Sequence, residues 1–410
     1  MIKKISTHKL RIGMYVHALS RNWTAHPFLR NRFRITSSEE IQKIIEAGIT
    51  ELEIDTEKGH DPPQEASNEP VILLPVQKEE AQANEDVPVQ AGAVSFSEEL
   101  VRARLIKTQA IHLVRNLMQD ARLGKIIELE RVQPVVQDIV DSITRNSSAL
   151  LALLQIRNKD DYTFLHSVGV CALLAAFCHS LHKHPQETYQ AALGGLLHDI
   201  GKSHVPDAIL NKPGRLTDAE FDVIKRHPLE GHAILSTISG IGGIPLEITL
   251  RHHERLDGGG YPDRLHGNEI SELAQMAAIV DVYDAITAER CYHQAISPAI
   301  ALGKLHEWSN TQYSAHLVQA FIRCLGIYPA GSLVLLQSGR LAVVTQQHPE
   351  NLLKPTVNVF FSTRSNTYIP PQKVDLSKTP ALGVADKILR AEPPARWKVD
   401  PLRFLEISEN

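Results

Sequence analysis

The feature that most constrains this chain is a series of histidines and aspartates set among apolar residues and separated by helix-sized stretches. His166 lies in Leu165-His166-Ser167-Val168-Gly169-Val170, and His198-Asp199 precedes Ile200-Gly201-Lys202. His227-Pro228 and His252-His253 follow, and Asp281 sits in Ala277-Ala278-Ile279-Val280-Asp281-Val282-Tyr283-Asp284-Ala285. An unpaired imidazole or carboxylate in such surroundings costs desolvation energy, so these groups need a partner. The spacing predicts that they sit on separate helices and line one bundle interior. Any single histidine among twenty is as well explained as a satisfied or exposed residue. The set is not. Imidazoles and carboxylates are the donors that a hard-to-borderline divalent cation takes, and a shared carboxylate can bring two cations close together. That pairing suits phosphate ester hydrolysis. Asp284, one turn after Asp281, is read as the compensated group instead, or as an orienter of a ligand.

A chain of 410 residues exceeds what one core usually organises, so two or three domains are expected. Residues 1–59 read as a small α+β domain with strand-like Gly13-Met14-Tyr15-Val16, Phe33-Arg34-Ile35-Thr36 and Thr50 to Asp55. Its helix runs from the capping-box pair Ser37 and Glu40 to Gly48. Residues 60–96 are rich in Pro, Glu, Gln, Ala and Asn without apolar periodicity and read as a flexible linker. Residues 97–327 read as helical, with breaks at Gly124 and Pro134, the apolar series Val136, Ile139, Val140 and Ile143, and a capping box at Thr217 and Glu220. Residues 328–410 read as a β-rich extension with runs Ser332 to Leu336, Leu341 to Thr345 and Thr356 to Phe361. The fold class is thus mainly α, with a helical bundle between two small appendages.

The formal charge of -4 excludes a broadly basic binder of DNA or RNA polymers, so attraction for an anionic substrate must be local. Four cysteines without a Cys-x-x-Cys pair fit a reducing cytoplasm. The apolar run Val168 to Cys178 is too short to span a bilayer, and no apolar segment follows Lys3-Lys4, so a soluble, unexported chain is expected.

The residues His198 to Lys202, His252 to Asp257, Gly260-Tyr261-Pro262 and Asp281 to Ala285 resemble the HD-GYP family of bacterial cyclic di-GMP phosphodiesterases. Pro206-Asp207, Lys212-Pro213-Gly214, His227-Pro228, Gly267 and Arg290 extend the likeness over 162–325. The first sixty residues also resemble an N-terminal domain of unknown function joined to such proteins. The resemblance implies an HD-type catalytic bundle in which Asp199 bridges two metals. His166, His198 and Asp281 would complete one, and His227, His252 and His253 the other. A hydroxide between the ions would open cyclic di-GMP to pGpG, and on to GMP. The metals it implies are iron or manganese, with nickel and zinc admitted by the donor types. Lys202 would lie beside the scissile phosphate, and Tyr261 and Arg290 would contact the dinucleotide.

Two departures from the family stand out. Tyr162 occupies the position where some relatives carry a glutamate for a third metal, which favours two. His293 in Arg290-Cys291-Tyr292-His293 replaces a second basic residue, which weakens the phosphate grip near neutral pH. Gly258, Gly259 and Gly260 are expected to allow a tight turn, with Glu254, Arg255 and Asp257 holding the loop by charge pairing. The rival readings are a non-catalytic cyclic dinucleotide sensor and a hydrolase of another nucleotide phosphate. A homodimer, and a signalling partner bound through the N-terminal domain, are compatible with the sequence.

Overall fold

The structure is a computed structural model that describes residues 2–6, 10, 13–19, 33–35, 51–56, 58, 94–156, 162–288, 296–348, 350–378 and 386–405. It divides into two compact units, Met1–Val87 and Pro88–Asn410. The helix expected from Ser37 to Gly48, the linker up to residue 93, and Arg290 lie outside the described residues.

In the first unit four strands, β1 (Ile2–Ser6), β2 (Tyr15–Leu19), β3 (Phe33–Arg34) and β4 (Glu51–Asp55), form an antiparallel sheet in the order β1-β4-β2-β3. Ile2 faces Asp55 and Tyr15 faces Arg34 across the ladders. Met14, Val16, Ile35, Leu52 and Ile54 are buried, the alternate inward positions of half-covered strands. The sequence marks β2, β3 and β4 but not β1.

The second unit opens with a long helix, α1 (Phe96–Arg122), capped by a Ser95/Glu98 capping box. It ends at Gly124 (φ +67°), where the Gly124 N–H donates to Ala121 O and the Lys125 N–H to Asp120 O, a Schellman stop that needs a residue free of Cβ strain. Next comes α2 (Leu129–Gln155), whose Pro134 lies inside the helix, so the break expected there is absent. The break is at Asn146 (φ -162°, ψ 95°), whose side-chain amide donates to Val94 O. Arg145 meets Glu99 near the start of α1, whereas Lys107 reaches Leu153 O, so the chain doubles back at Asn146. No glycine or proline marks that reversal, which is why periodicity did not reveal it.

Helix α3 (Tyr162–Ser180) is apolar on every side and contributes to two cores. Leu165, Val168, Ala172 and Ala175 pack with α1, α2 and α4 (Pro185–Leu197). Val170, Leu174 and Phe177 pack with the later helices. These are the short α5 (Asp207–Leu210), α6 (Asp218–Ile224), α7 (His227–Ser236), α8 (Gly243–Arg251), α9 (Glu272–Thr287), α10 (Pro298–Trp308) and α11 (Ala315–Leu325). The second core draws on α8 to α11. Among the described residues no helix is long and apolar enough to cross a membrane.

Five antiparallel strands follow: β5 (Leu333–Leu336), β6 (Arg340–Gln346), β7 (Thr356–Ser362), β8 (Thr367–Asp375) and β9 (Ile388–Ala391), in the order β8-β7-β6-β5-β9. Leu333, Leu335, Leu341 and Val343 enter the core shared with α1 to α4, while Val334, Leu336, Ala342 and Val344 face a second apolar layer. This period of two fixes the register, because a one-residue slip would exchange the faces.

Where the chain turns at Asn146, buried Glu99 accepts two hydrogen bonds from Arg145, Nε at 2.7 Å and Nη2 at 2.8 Å. Removing one partner strands the other, so Glu99→Ala should destabilise the unit by about 2–3 kcal/mol in chemical denaturation. An unchanged midpoint would count against this role.

Candidate metal centre

Five helices and their ends deliver the predicted ligands to one place. His166 comes from the first turns of α3, and His198 ends α4. Asp199 starts the 3-10 turn Ile200–His204 that carries Lys202. His227 begins α7, His252 ends α8 with His253 next, and Asp281 lies within α9. Every one of these groups is buried except His253, which is partly open.

Asp199 stands at the centre. Its Oδ2 lies 3.6 Å from His166 Nε2 and 3.3 Å from His198 Nε2, and its Oδ1 lies 3.3 Å from His227 Nε2 and 3.9 Å from His252 Nε2. Asp281 flanks it, with Oδ1 at 3.0 Å from His166 Nε2 and 3.7 Å from His198 Nε2, and Oδ2 at 3.6 Å from His253 Nδ1. The donor atoms of His166, His198 and Asp199 all fall within 4.8 Å of one another, as do those of His227, His252 and His253. One carboxylate therefore has a donor group on each side.

The tautomers are fixed from behind. His198 Nδ1 lies 2.8 Å from Gly195 O, His227 Nδ1 2.7 Å from Ile224 O, and His252 Nδ1 3.0 Å from Thr249 O. A carbonyl only accepts, so each Nδ1 carries the proton and each neutral ring turns an Nε2 lone pair inward. His166 Nδ1 instead donates to the Asp284 carboxylate at 2.7 Å, the orienting role anticipated for that residue. His227 Nε2 and His252 Nε2 are consequently two lone pairs 3.2 Å apart. His198 Nε2 and Asp199 Oδ1 are buried without a partner in hydrogen-bonding geometry. Converging, unprotonated, buried acceptors fit divalent cations and little else.

Electrostatics agree with the geometry. Burial, reinforced by the neighbouring imidazoles, holds His252 well below its usual value, and burial with only partial compensation from Asp281 brings His253 down to about 3. Burial also lowers His227. His166 goes the other way: burial lowers it, but Asp281 and Asp284 together outweigh that. Asp199 and Asp281 are raised by burial, yet His198 and Lys202 around the first and His166 and His253 around the second hold both well below the carboxylate range.

Two glycines make the convergence sterically feasible. A Cβ on Gly201 would lie 2.0 Å from His227 O and 2.5 Å from Gly231 N, and one on Gly231 would meet Thr249 at 2.9 Å. Gly201 thus lets the Asp199 turn lie directly on α7, and Gly231 lets α7 lie closely on α8. Sequence reasoning passed over Gly231, although a glycine in a helix interior is itself a signal of close approach.

The remaining predicted residues are placed as follows. Lys202 Nζ lies 2.6 Å from Asp199 Oδ2, at the rim of the cluster. Tyr261 packs against the His253 ring, with centroids 4.6 Å apart and planes tilted by 33°, and its N–H donates to His253 O. Arg255 and Asp257 form the expected pair at 3.1 Å, but among the described residues Glu254 does not pair with a charge. Its carboxylate accepts backbone N–H groups of Asp263, Arg264 and Leu265 instead. Lys212 is tied to Glu220 at 2.7 Å, within the capping box of α6.

Two outcomes follow from this packing. Gly201→Ala should separate the Asp199 turn from α7 and lower bound metal by elemental analysis. Gly243→Ala, where the added Cβ meets nothing within 4 Å, should leave metal content unchanged, and equal loss in the two variants would refute the argument. The second outcome concerns pH in metal-free protein. Histidines whose folded pKa is depressed leave the unfolded chain binding more protons below about 6.5. Stability from His227, His252 and His253 is therefore present above about 6.5 and lost as pH falls toward the folded value, about 3 for His253. His166, with its raised value, opposes this by losing stability as pH rises, but stands one against three. The melting temperature of metal-free protein should fall between pH 7 and pH 5, and a rise would contradict these assignments.

Residues 134–317 match the HD domain, 2–132 a domain of unknown function (DUF3391), and 333–392 a KOW domain associated with the HD domain. A cyclic di-GMP phosphodiesterase of Pseudomonas aeruginosa is 41% identical over 97% of this chain and 94% of its own length. A cyclic di-GMP phosphodiesterase response regulator of Xanthomonas campestris is 30% identical over 62% of this chain and 67% of its own. A 3'3'-cGAMP-specific phosphodiesterase of Vibrio cholerae is 37% identical over 37% of this chain and 35% of its own. The chain belongs to the HD-domain family of cyclic di-GMP phosphodiesterases.

Proposed function

We propose that this protein hydrolyses cyclic di-GMP to pGpG, and onward to GMP, at a centre of two divalent metals. The observation that carries the reading is the inward convergence of Nε2 lone pairs on Asp199, each held by a fixed Nδ1 partner. His166, His198 and Asp281 would hold one metal and His227, His252 and His253 the other, with Asp199 shared. Such a pair supplies an activated water and neutralises charge on the phosphate. Iron or manganese is the proposed occupant on the family resemblance, while the imidazole and carboxylate donors by themselves also admit nickel and zinc.

The chain's own side chains would do the rest. Lys202, at the rim beside Asp199, would place its ammonium against the scissile phosphate and offset charge on the departing sugar oxygen. Tyr261, packed against His253, offers a ring face and hydroxyl to the dinucleotide, and Arg290 a fork for its second phosphate. Burial raises the Tyr261 hydroxyl, so it acts as a neutral donor at neutral pH. The division proposed from sequence, with catalysis in 97–327 between appendages 1–59 and 328–410, and a cytoplasmic location belong to the same reading.

Product analysis of metal-reconstituted protein on cyclic di-GMP, 3'3'-cGAMP and pGpG tests the assignment. Linear pGpG should form fastest from cyclic di-GMP. Binding without turnover would establish a sensor instead, and faster cleavage of 3'3'-cGAMP would reassign the substrate. Asp199→Ala should abolish both metal loading and turnover, a loss of at least about 10³-fold in rate. Hydrolysis retained without metal would reject the mechanism.

A further inference from the structure

Glu254 follows the ligand His253 directly and is only 2% exposed. Among the described residues no cation lies within ion-pair distance of it. Its Oε1 accepts from Asp263 N at 2.7 Å and Arg264 N at 3.1 Å, and its Oε2 from Leu265 N at 3.1 Å. Three successive N–H groups aimed at one point form an anion-binding concavity, here filled by the chain's own carboxylate. That concavity requires an unusual backbone: Arg264 sits at φ +56°, a left-handed conformation that a non-glycine residue adopts only when its surroundings enforce it. The group on which its N–H and those of its two neighbours converge is Glu254.

The turn so held begins at Tyr261. Gly260 lies so close to the backbone of residues 253–255 that a Cβ there would come within 2.5 Å of Arg255 N and Glu254 Cα. The Tyr261 N–H donates to His253 O at 3.2 Å, and the two rings pack at a tilt of 33°. Ligand, carboxylate and aromatic residue therefore form one small unit. Its metal-facing end has other supports, because His252 ends α8 and Asp281 faces His253 from α9. Its Tyr261 end runs on into residues 263–265, which the carboxylate holds.

We propose that Glu254 is a positioning residue that sets the place of Tyr261 relative to the metal pair, and so governs capture of the cyclic dinucleotide rather than metal loading. This rests on the function proposed above. A carboxylate is required because it accepts at both oxygens, whereas the amide of glutamine would turn an N–H donor toward one of the three backbone donors.

The test is a double-mutant cycle on the full chain, read by KM, kcat, Kd for cyclic di-GMP and metal content. Glu254→Gln should raise KM and Kd about tenfold, the size of one lost charge-assisted hydrogen bond, with kcat within about threefold of wild type and both metals retained. In a Tyr261→Ala background the same substitution should add little, because its effect runs through that ring. Arg264→Gly, judged against its own single variant, should restore part of the loss by relieving the left-handed backbone. Additive effects, unchanged KM and Kd, or metal loss in parallel with the KM change would each overturn the proposal. Glu254→Asp keeps the charge but withdraws it by one methylene, and carries the same cycle if the glutamine variant does not fold. If wild type binds the dinucleotide without hydrolysing it, the catalytic reading fails, and Kd still decides the role of Glu254.

Discussion

Everything in the helical unit is arranged around the cost of burying Asp199. A carboxylate with 2% exposure would ordinarily neutralise itself by taking a proton, yet this one is surrounded by imidazoles that are locked as acceptors and by one lysine at the rim. Acceptors crowded on a carboxylate repel unless positive charge enters between them. The fold tolerates this because ligands come from the rigid ends of several helices, each anchored in an apolar core. It also explains why the centre cannot be relaxed by small shifts. The Gly201 turn already touches the α7 backbone, and α3, which carries His166, is packed on all sides.

The two halves of the centre differ in what stands behind them. His227 and His252 are backed by peptide carbonyls, neutral acceptors at helix ends, whereas His166 is backed by the Asp284 carboxylate and faced by Asp281. The first half is a set of neutral donors near Asp199, with Asp281 reaching only His253. The second half concentrates three carboxylates within reach of one imidazole. That inequality arises from α9 alone, where Asp281 and Asp284 fall three apart and so project from neighbouring positions on one helical face.

Much of this was legible in the sequence because polar residues inside apolar helical runs are expensive, and expense is visible without coordinates. His166 and Asp281 declared themselves that way. The strands β5, β6 and β7 were legible from β-branched runs, but β8 was not, since Pro370 and Pro371 argue against a strand. They are tolerated because β8 is an outer strand with most of its side chains exposed. The reversal at Asn146 was hidden for the opposite reason: apolar spacing continues through it, and only the tertiary pairs Glu99–Arg145 and Lys107–Leu153 show that the chain has turned. Glu254 was misread as a charge partner because its donors are main-chain groups, which carry no residue type to read.

The route by which the long helix α1 meets the centre follows from the same close packing. Arg122, its last residue, donates to Ser203 O and pairs with Asp207, at the far end of the turn that carries Asp199 and Lys202. Gly201 leaves that turn no free space toward α7, so it cannot yield on that side without disturbing His227. The turn also meets α1, through Arg122. A helix of 27 residues is stiff along its length, with about 1.5 Å of rise per residue. Arg122 therefore ties the end of α1 to the turn that carries Asp199 and Lys202.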